Sequence, residues 1–371
     1  MSSARTAAPG TSSRAQPPKG TEAGAKTGND RPRVLVVAPN WIGDALMAQP
    51  MLARLHELRP DIEIDLLAPR WVLPLAARMP EVGEAIESPF GHGELGLRGR
   101  WQLGRRLAAR GYAQAIVLPN TLKSALIPFF AGIPLRTGYV GESRYGLLNV
   151  VHKLDRKNPP PMVERYLALA GLPGAPLLAA PETRLKVSGA HLANTLVQLS
   201  LQPPSDAHPV AVLCPGAEYG PAKRWPAESY ADLAVKLGDA GFGVWIMGSQ
   251  GDCDVARAIL EARPGCAIDL CGRTDLAGAI DLIGVAQVVI SNDSGLMHIA
   301  AALDRPLVAL FGSSSPKHTP PRSTKARVQY LAIECSPCFE RTGPLGHFRC
   351  MRDLGPARIF GEALAAAGRA T

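Results

Sequence analysis

Residues 33–38 read RVLVVA, residues 39–44 PNWIGD and residues 45–58 ALMAQPMLARLHEL. The first run is apolar and β-branched, the pattern of a strand buried on both faces. The last spaces Leu46, Met47, Met51, Leu55 and Leu58 as a helix does, with Pro50 either counting against a perfect helix or setting a kink. Strand, turn and helix then recur: a strand over 62–68, a helix over 95–110, a strand over 114–118 and a helix over 121–131. Such alternation predicts a parallel sheet with right-handed crossovers.

Turn-forming residues cluster at 158–161 (NPPP) and again at 171–181, so a domain boundary is expected near 172–182. The alternation restarts beyond it. Strands are expected over 210–214, 243–247, 267–270, 288–291 and 307–311, with helices over 227–240, 252–262, 275–286 and 294–303. The fold class is therefore α/β, with two doubly wound domains, 33–175 and 176–355. Residues 1–32 lack an apolar run and are expected to be a disordered extension. A last helical stretch within 356–371 is expected to pack back on the first domain.

A chain of 371 residues is too long for one ordinary core and suits two. No apolar run reaches the roughly 20 residues that span a bilayer, and no signal-like segment opens the chain, so a cytoplasmic location is expected. The net charge of +8 is unevenly spread. Residues 1–33 carry six Lys/Arg against two acids, 34–180 sixteen against twelve, and 181–371 eighteen of each. A basic first half suits an anionic partner, though a solvated basic face has the same composition.

Open α/β sheets bind ligands beyond the carboxyl ends of their strands, so the turns there are the candidate site. In the first, Gly43 permits close backbone approach, and Asp44 could take a proton from a hydroxyl or cap the helix. In CPGAEYGPAKRWP (214–226), Gly216 and Gly220 expose backbone N–H groups, while Lys223 and Arg224 carry charge for a diphosphate. In SNDSGLMH (291–298), a helix start offers an anion site. There Asp293 is placed for sugar hydroxyls, and His298 for a phosphate or for the core. In GSQGDCD (248–254), Asp252 or Asp254 could hold a ribose or cap a helix. The turn FGSSSP (311–316) lies at the same edge.

The stretches WIGDALMAQP, LPNTLKSALIPFFAGIPLRTGY, PGAEYGPAKRWP and SNDSGLMHIAAAL together resemble the heptosyltransferase family of lipopolysaccharide core synthesis. The second and third are closest to its heptosyltransferase II branch. The resemblance implies two Rossmann-like domains of GT-B type facing a cleft. It implies an ADP-L-glycero-D-manno-heptose donor, a heptosyl-Kdo2-lipid A acceptor, and peripheral contact with the inner membrane, with no nucleic acid. By position it makes Asp44 the general base and Lys223 the diphosphate lysine. It assigns Gly216, Glu218, Lys223, Arg224, Ser249, Asp252, Asp293, Ser294, Gly295, Leu296 and His298 to the donor. It assigns Asn40, Trp41, Gly43, Asn120, Lys123, Arg136 and Arg144 to the acceptor, with Arg98, Arg105 and Arg106 as further candidate contacts. Direct displacement of this kind requires no cofactor.

Among seven cysteines, Cys335, Cys338 and Cys350 join His347 in C-x2-C-x8-H-x2-C, a spacing that zinc accepts. Unligated thiols are the plainer reading. Members of the family carry another cysteine where Gly343 stands here. Two other functions stay open: a nucleotide-sugar epimerase of the same architecture, and a non-enzymatic nucleotide-binding, membrane-associated protein.

Overall fold

The computed structural model describes residues 31–91, 93–155 and 157–369. The extension expected over 1–32 lies almost entirely outside the described residues. From Pro32 onward the chain forms one compact unit, built on two six-stranded sheets. The first has strands β1 (Arg33–Val37), β2 (Glu63–Pro69), β3 (Val82–Ser88), β4 (Gln114–Val117), β5 (Leu135–Tyr139) and β6 (Val150–His152). Their order is β3-β2-β1-β4-β5-β6. The second has β7 (Val210–Cys214), β8 (Gly243–Ile246), β9 (Ile268–Asp269), β10 (Val288–Asn292), β11 (Leu307–Phe311) and β12 (Ala326–Tyr330). Its order, β12-β11-β10-β7-β8-β9, repeats the first, and every pairing in both sheets is parallel. The strand order reverses between β1 and β4 in one sheet and between β7 and β10 in the other. A crevice opens at such a switch point.

β3, β5, β6 and β12 were not foreseen in the sequence. Burial explains two of these: β3 is half-exposed or exposed along its whole length (VGEAIES), and β12 is an edge strand in which only Gln329 is buried. Helix Ile42–Leu58 runs unbroken through Pro50. Its apolar face shares one core with the β1 and β2 side chains and with Met297, Ile299 and Ala300 of helix Gly295–Ala302. The lobes thus meet along these two helices rather than at a hinge alone.

The connection between lobes is pinned on both sides. Gln49 donates to the Arg184 carbonyl and accepts the Arg184 N–H. Arg78 of the first lobe pairs at 2.7 Å with Asp281 of the second, a carboxylate with no exposed surface. One expectation is corrected. Helix Pro356–Ala366 does not cross to the first lobe. Ile359, Ala363 and Leu364 fill the core of the second sheet beside Tyr230, Ile290 and Leu310. Arg369 then donates to the Ala240 carbonyl. The second sheet needs this helix to cover its face, since its strands are apolar on both sides.

Candidate active site

Each switch point carries a cavity of about 250 Å³. In the first lobe the walls are the turn after β1 (Pro39, Asn40, Trp41, Asp44) and the turn after β4 (Leu118, Pro119, Asn120), closed by Tyr139, Met162, Arg165 and Tyr166. In the second they are the turn after β7 (Gly216, Ala217, Glu218), the turn after β8 (Gly248, Ser249, Asp252) and the start of the helix after β10 (Ser294, Gly295, Leu296). Ile42 and Trp71 of the first lobe line this second cavity too.

Asp44 occupies the first turn of helix Ile42–Leu58, but Trp41 is the N-cap and makes no side-chain cap bond. The Asp44 carboxylate has no hydrogen-bond partner among the described residues, so it is not spent on the helix. Burial raises its pKa to about 6, with Arg165 and Lys223 pulling the other way. A carboxylate tuned toward neutrality in a sugar-sized hollow has the properties of a general base.

Lys223 lies toward the same point from the second lobe. Its ammonium donates to Asp293 at 2.6 Å and stands 5.2 Å from the Tyr219 ring centre. Asp293 also accepts from Thr319. The Asp293 carboxylate is therefore engaged in fixing the lysine, a use the sequence did not indicate. Arg224 reaches Asp252 only at 4.0 Å. Asp252 closes a capping box with Ser249, as the capping alternative anticipated. Its carboxylate nonetheless lies directly over Gly216, where a Cβ would meet it at 2.4 Å. Ser294 stands at the N-cap position of helix Gly295–Ala302 without making a cap bond, so the helix start keeps its N–H groups for a ligand. Gly295 allows Ile42 within 3.1 Å of where its Cβ would lie.

His298 is elsewhere than expected. It is buried beneath Gly43, whose missing Cβ would touch its ring at 3.0 Å, and burial lowers its pKa. It lines a small void with Leu46, Met47 and Arg322, not the second-lobe cavity. A neutral imidazole there packs one lobe on the other.

The arginines of the first lobe need a larger correction. Arg144 has 1% exposure, and its guanidinium donates to the carbonyls of Pro119, Thr121 and Tyr139. Arg136 donates to the carbonyls of Ile133, Leu147 and Gly146. Arg144 braces the turn around Asn120 and Arg136 the turns that flank β5, each through backbone carbonyls. Arg98, Arg105 and Arg106 are exposed and line neither cavity. The cation that does face the Asp44 cavity is Arg165, on helix Met162–Leu167, whose Nε is buried without a partner. Lys123 lines a neighbouring hollow.

Asn292 was also missed. Its Oδ1 accepts from the Trp225 N–H and the Tyr230 hydroxyl, and its Nδ2 donates to the Pro215 carbonyl. It thereby locks the turn carrying Gly216 to the turn carrying Asp293. The signal was present, since a polar residue closing an apolar strand demands partners.

Cys335 Sγ lies 3.8 Å from His347 Nε2, and Cys338 and Cys350 border the same small hollow. His347 Nδ1 accepts the Arg349 N–H, so Nε2 carries the proton and points it at sulfur. A metal on Nε2 would need that proton on Nδ1 instead. Among the described residues no group of three or more His, Cys, Asp or Glu is arranged to hold an ion.

The model of glycosyltransferase family 9 (heptosyltransferase) matches residues 100–349. The chain belongs to this family. It is 45% identical to lipopolysaccharide heptosyltransferase 2 of Escherichia coli K12, over 89% of this chain and 97% of that one. It is 46% identical to lipooligosaccharide heptosyltransferase 2 of Haemophilus influenzae, over 80% and 87%. The structure of E. coli ADP-heptose LPS heptosyltransferase II superposes with a TM-score of 0.78 at 43% identity, covering 90% of this chain and 98% of that one. The chain is therefore a GT-B glycosyltransferase, and neither the epimerase nor the binding-protein alternative stands.

Proposed function

We propose that this enzyme transfers L-glycero-D-manno-heptose from ADP-heptose to the heptosylated Kdo–lipid A inner core, adding the second heptose. The observation that carries the reading is the pairing of two switch-point cavities, one holding an unengaged carboxylate and the other an open helix start. The names of the relatives, lipopolysaccharide heptosyltransferase 2 and ADP-heptose LPS heptosyltransferase II, support ADP-heptose as donor and lipopolysaccharide as acceptor.

ADP-heptose binds in the second-lobe cavity, with its diphosphate at the start of helix Gly295–Ala302 and near Lys223. The acceptor hydroxyl enters the first-lobe cavity and hydrogen-bonds Asp44. Asp44 accepts the hydroxyl proton as the oxygen attacks the anomeric carbon, and the bond to ADP breaks on the opposite face. A single displacement inverts that carbon. Charge growing on the departing diphosphate is met by the Lys223 ammonium and the N–H groups of Ser294, Gly295 and Leu296. The two fixed cavities hold the reactants in line, which removes much of the entropic barrier. No cofactor enters this scheme. No helix among the described residues is long and apolar enough to cross a membrane. The enzyme works in the cytoplasm, meeting its lipid-linked acceptor at the inner-membrane surface.

The test is ADP release from ADP-heptose, with and without heptosyl-Kdo2-lipid A, by wild type and Asp44→Asn. Release that requires the acceptor and disappears in the variant is the expected result. Donor binding without acceptor-dependent release would sink the proposal.

A further inference from the structure

Sugar transfer competes with hydrolysis. Water attacks an anomeric carbon much as an acceptor hydroxyl does, and a base that takes a proton from one takes it from the other. Asp44 is such a base, raised toward neutrality and unengaged beside a cavity of about 250 Å³. In the side reaction the water oxygen would bond to the sugar, the bond to ADP would break and the proton would pass to Asp44. Free heptose and ADP would result, and the acceptor would gain nothing. A site of this kind needs an apolar screen around the reacting carbon.

On the reading above, that carbon lies between the diphosphate at the start of helix Gly295–Ala302 and the carboxylate of Asp44. Ile42 and Trp71 of the first lobe reach this place, and both line the second-lobe cavity. Ile42 stands two positions before Asp44, and its Cβ lies 3.1 Å from where a Gly295 Cβ would be. Trp71 lies in the turn after β2. Its Nε1 donates to the Asn40 carbonyl at 2.8 Å, and Asn40 belongs to the wall of the Asp44 cavity. The indole therefore stands where the two cavities adjoin.

The backbone beneath the ring is well anchored. Val72, Leu75 and Ala76, which follow it, are fully buried in the core, and the Val72 N–H donates to the Pro69 carbonyl at 2.8 Å. The ring itself is 48% exposed. Leaving so large an apolar surface in solvent forgoes the gain of burying it, so its place at a cavity mouth calls for an occupant. The flat face of an indole suits the C–H surface of a sugar ring. Its N–H is already spent on Asn40, so it offers no polar group to lead water to the sugar.

We propose that Trp71, backed by Ile42, screens the heptosyl group of the donor from water, so that the sugar passes to the acceptor and not to solvent. The proposal rests on the functional reading above and adds to it the residue that sets transfer against hydrolysis.

The experiment measures two quantities for wild type, Trp71→Phe and Trp71→Ala. One is release of ADP and free heptose without acceptor. The other is the ratio of ADP released to heptose transferred with heptosyl-Kdo2-lipid A present. Wild type is expected to release about one ADP per sugar transferred. Trp71→Ala is expected to hydrolyse the donor roughly tenfold faster and to lift the ratio well above that of wild type. Trp71→Phe, which keeps an aromatic face, should restore most of the wild-type ratio. Adding Asp44→Asn to Trp71→Ala should abolish the extra hydrolysis, because the water needs the base. A higher ADP-heptose KM with the ratio unchanged would make Trp71 a donor contact only and overturn the screen, and so would no change at all. If Trp71→Ala melts too early to assay, Trp71→Leu runs the same comparison with a smaller rise expected. No wild-type transfer to the acceptor would remove the functional reading and the screen with it, whereas wild-type transfer with an indifferent Trp71→Ala would remove the screen alone.

Discussion

The two lobes repeat one topology but encode their sites differently. In the second lobe the cavity is walled mostly by turns that follow β7, β8, β9 and β10, each a short contiguous stretch, with Ile42 and Trp71 added from the first lobe. In the first lobe seven of the eleven lining residues come from the turns after β1 and β4. The rest comes from Tyr139, Met162, Arg165 and Tyr166, distant in sequence from Asp44. The proposed nucleotide side can be built from backbone N–H groups and a helix start, which strand–turn–helix connectivity supplies automatically. The proposed acceptor side draws its cation, Arg165, from a distant helix, and connectivity does not dictate that.

The sharpest test of the contrast is at Asp44, where the lobes' contributions converge. Asp44→Asn should slow transfer by roughly 10²- to 10⁴-fold, the range for losing a general base, while ADP-heptose affinity holds. In wild type, kcat/KM for the acceptor should climb with pH through about 6 and then level off, because the base must be ionised. A profile flat from pH 5 to pH 8 would remove Asp44 from that role.

Lys223→Ala is next in size. Losing the ammonium from the departing diphosphate should cost roughly 10²- to 10³-fold in rate and also weaken ADP-heptose binding, measurable by calorimetry. Unchanged donor affinity would break the assignment of this lysine to the second-lobe cavity.

The arginines separate the two kinds of wall. Arg165→Ala should raise the acceptor KM by roughly tenfold, as loss of one charge-assisted contact does, with little change in melting temperature. Arg144→Ala should do the reverse. It frees several buried carbonyls, costs on the order of 3 kcal/mol in denaturant unfolding, and leaves the acceptor KM of the folded fraction nearly intact. Interchanged results would invert the reading of the first lobe.

The smallest effect is on stability. The Asp44 pKa rises from 3.8 to about 6 in the fold, so folding favours the protonated form. Stability is therefore lost as pH climbs from near 4 to above 6. Asp44→Asn should recover it at pH 8, by at most about 3 kcal/mol, with the gain shrinking toward pH 4. A variant less stable than wild type at pH 8 would contradict an unengaged, desolvated carboxylate.

Much of this protein was legible before its tertiary structure. The buried parallel strands announce themselves because both faces are apolar, and the turns after them carry Asp44, Gly216, Lys223 and Ser294. Edge strands such as β3 and β12 were not legible, since half-exposed residues lose the apolar signature. Nor was the seat of helix Pro356–Ala366, because an amphipathic helix records that it must cover a sheet without recording which one.

The sequence by itself determined the two parallel sheets, their switch points and the residues that follow them, because these depend on local pattern and chain order. Only the tertiary structure decided what each charged side chain does. Asp293 could have met a sugar but holds Lys223, and His298 could have met a phosphate but packs under Gly43. Arg136 and Arg144 are spent on carbonyls, while Arg165 faces the Asp44 cavity. A long side chain reaches partners from any part of the fold, so its role is set by which donors and acceptors lie around it in space.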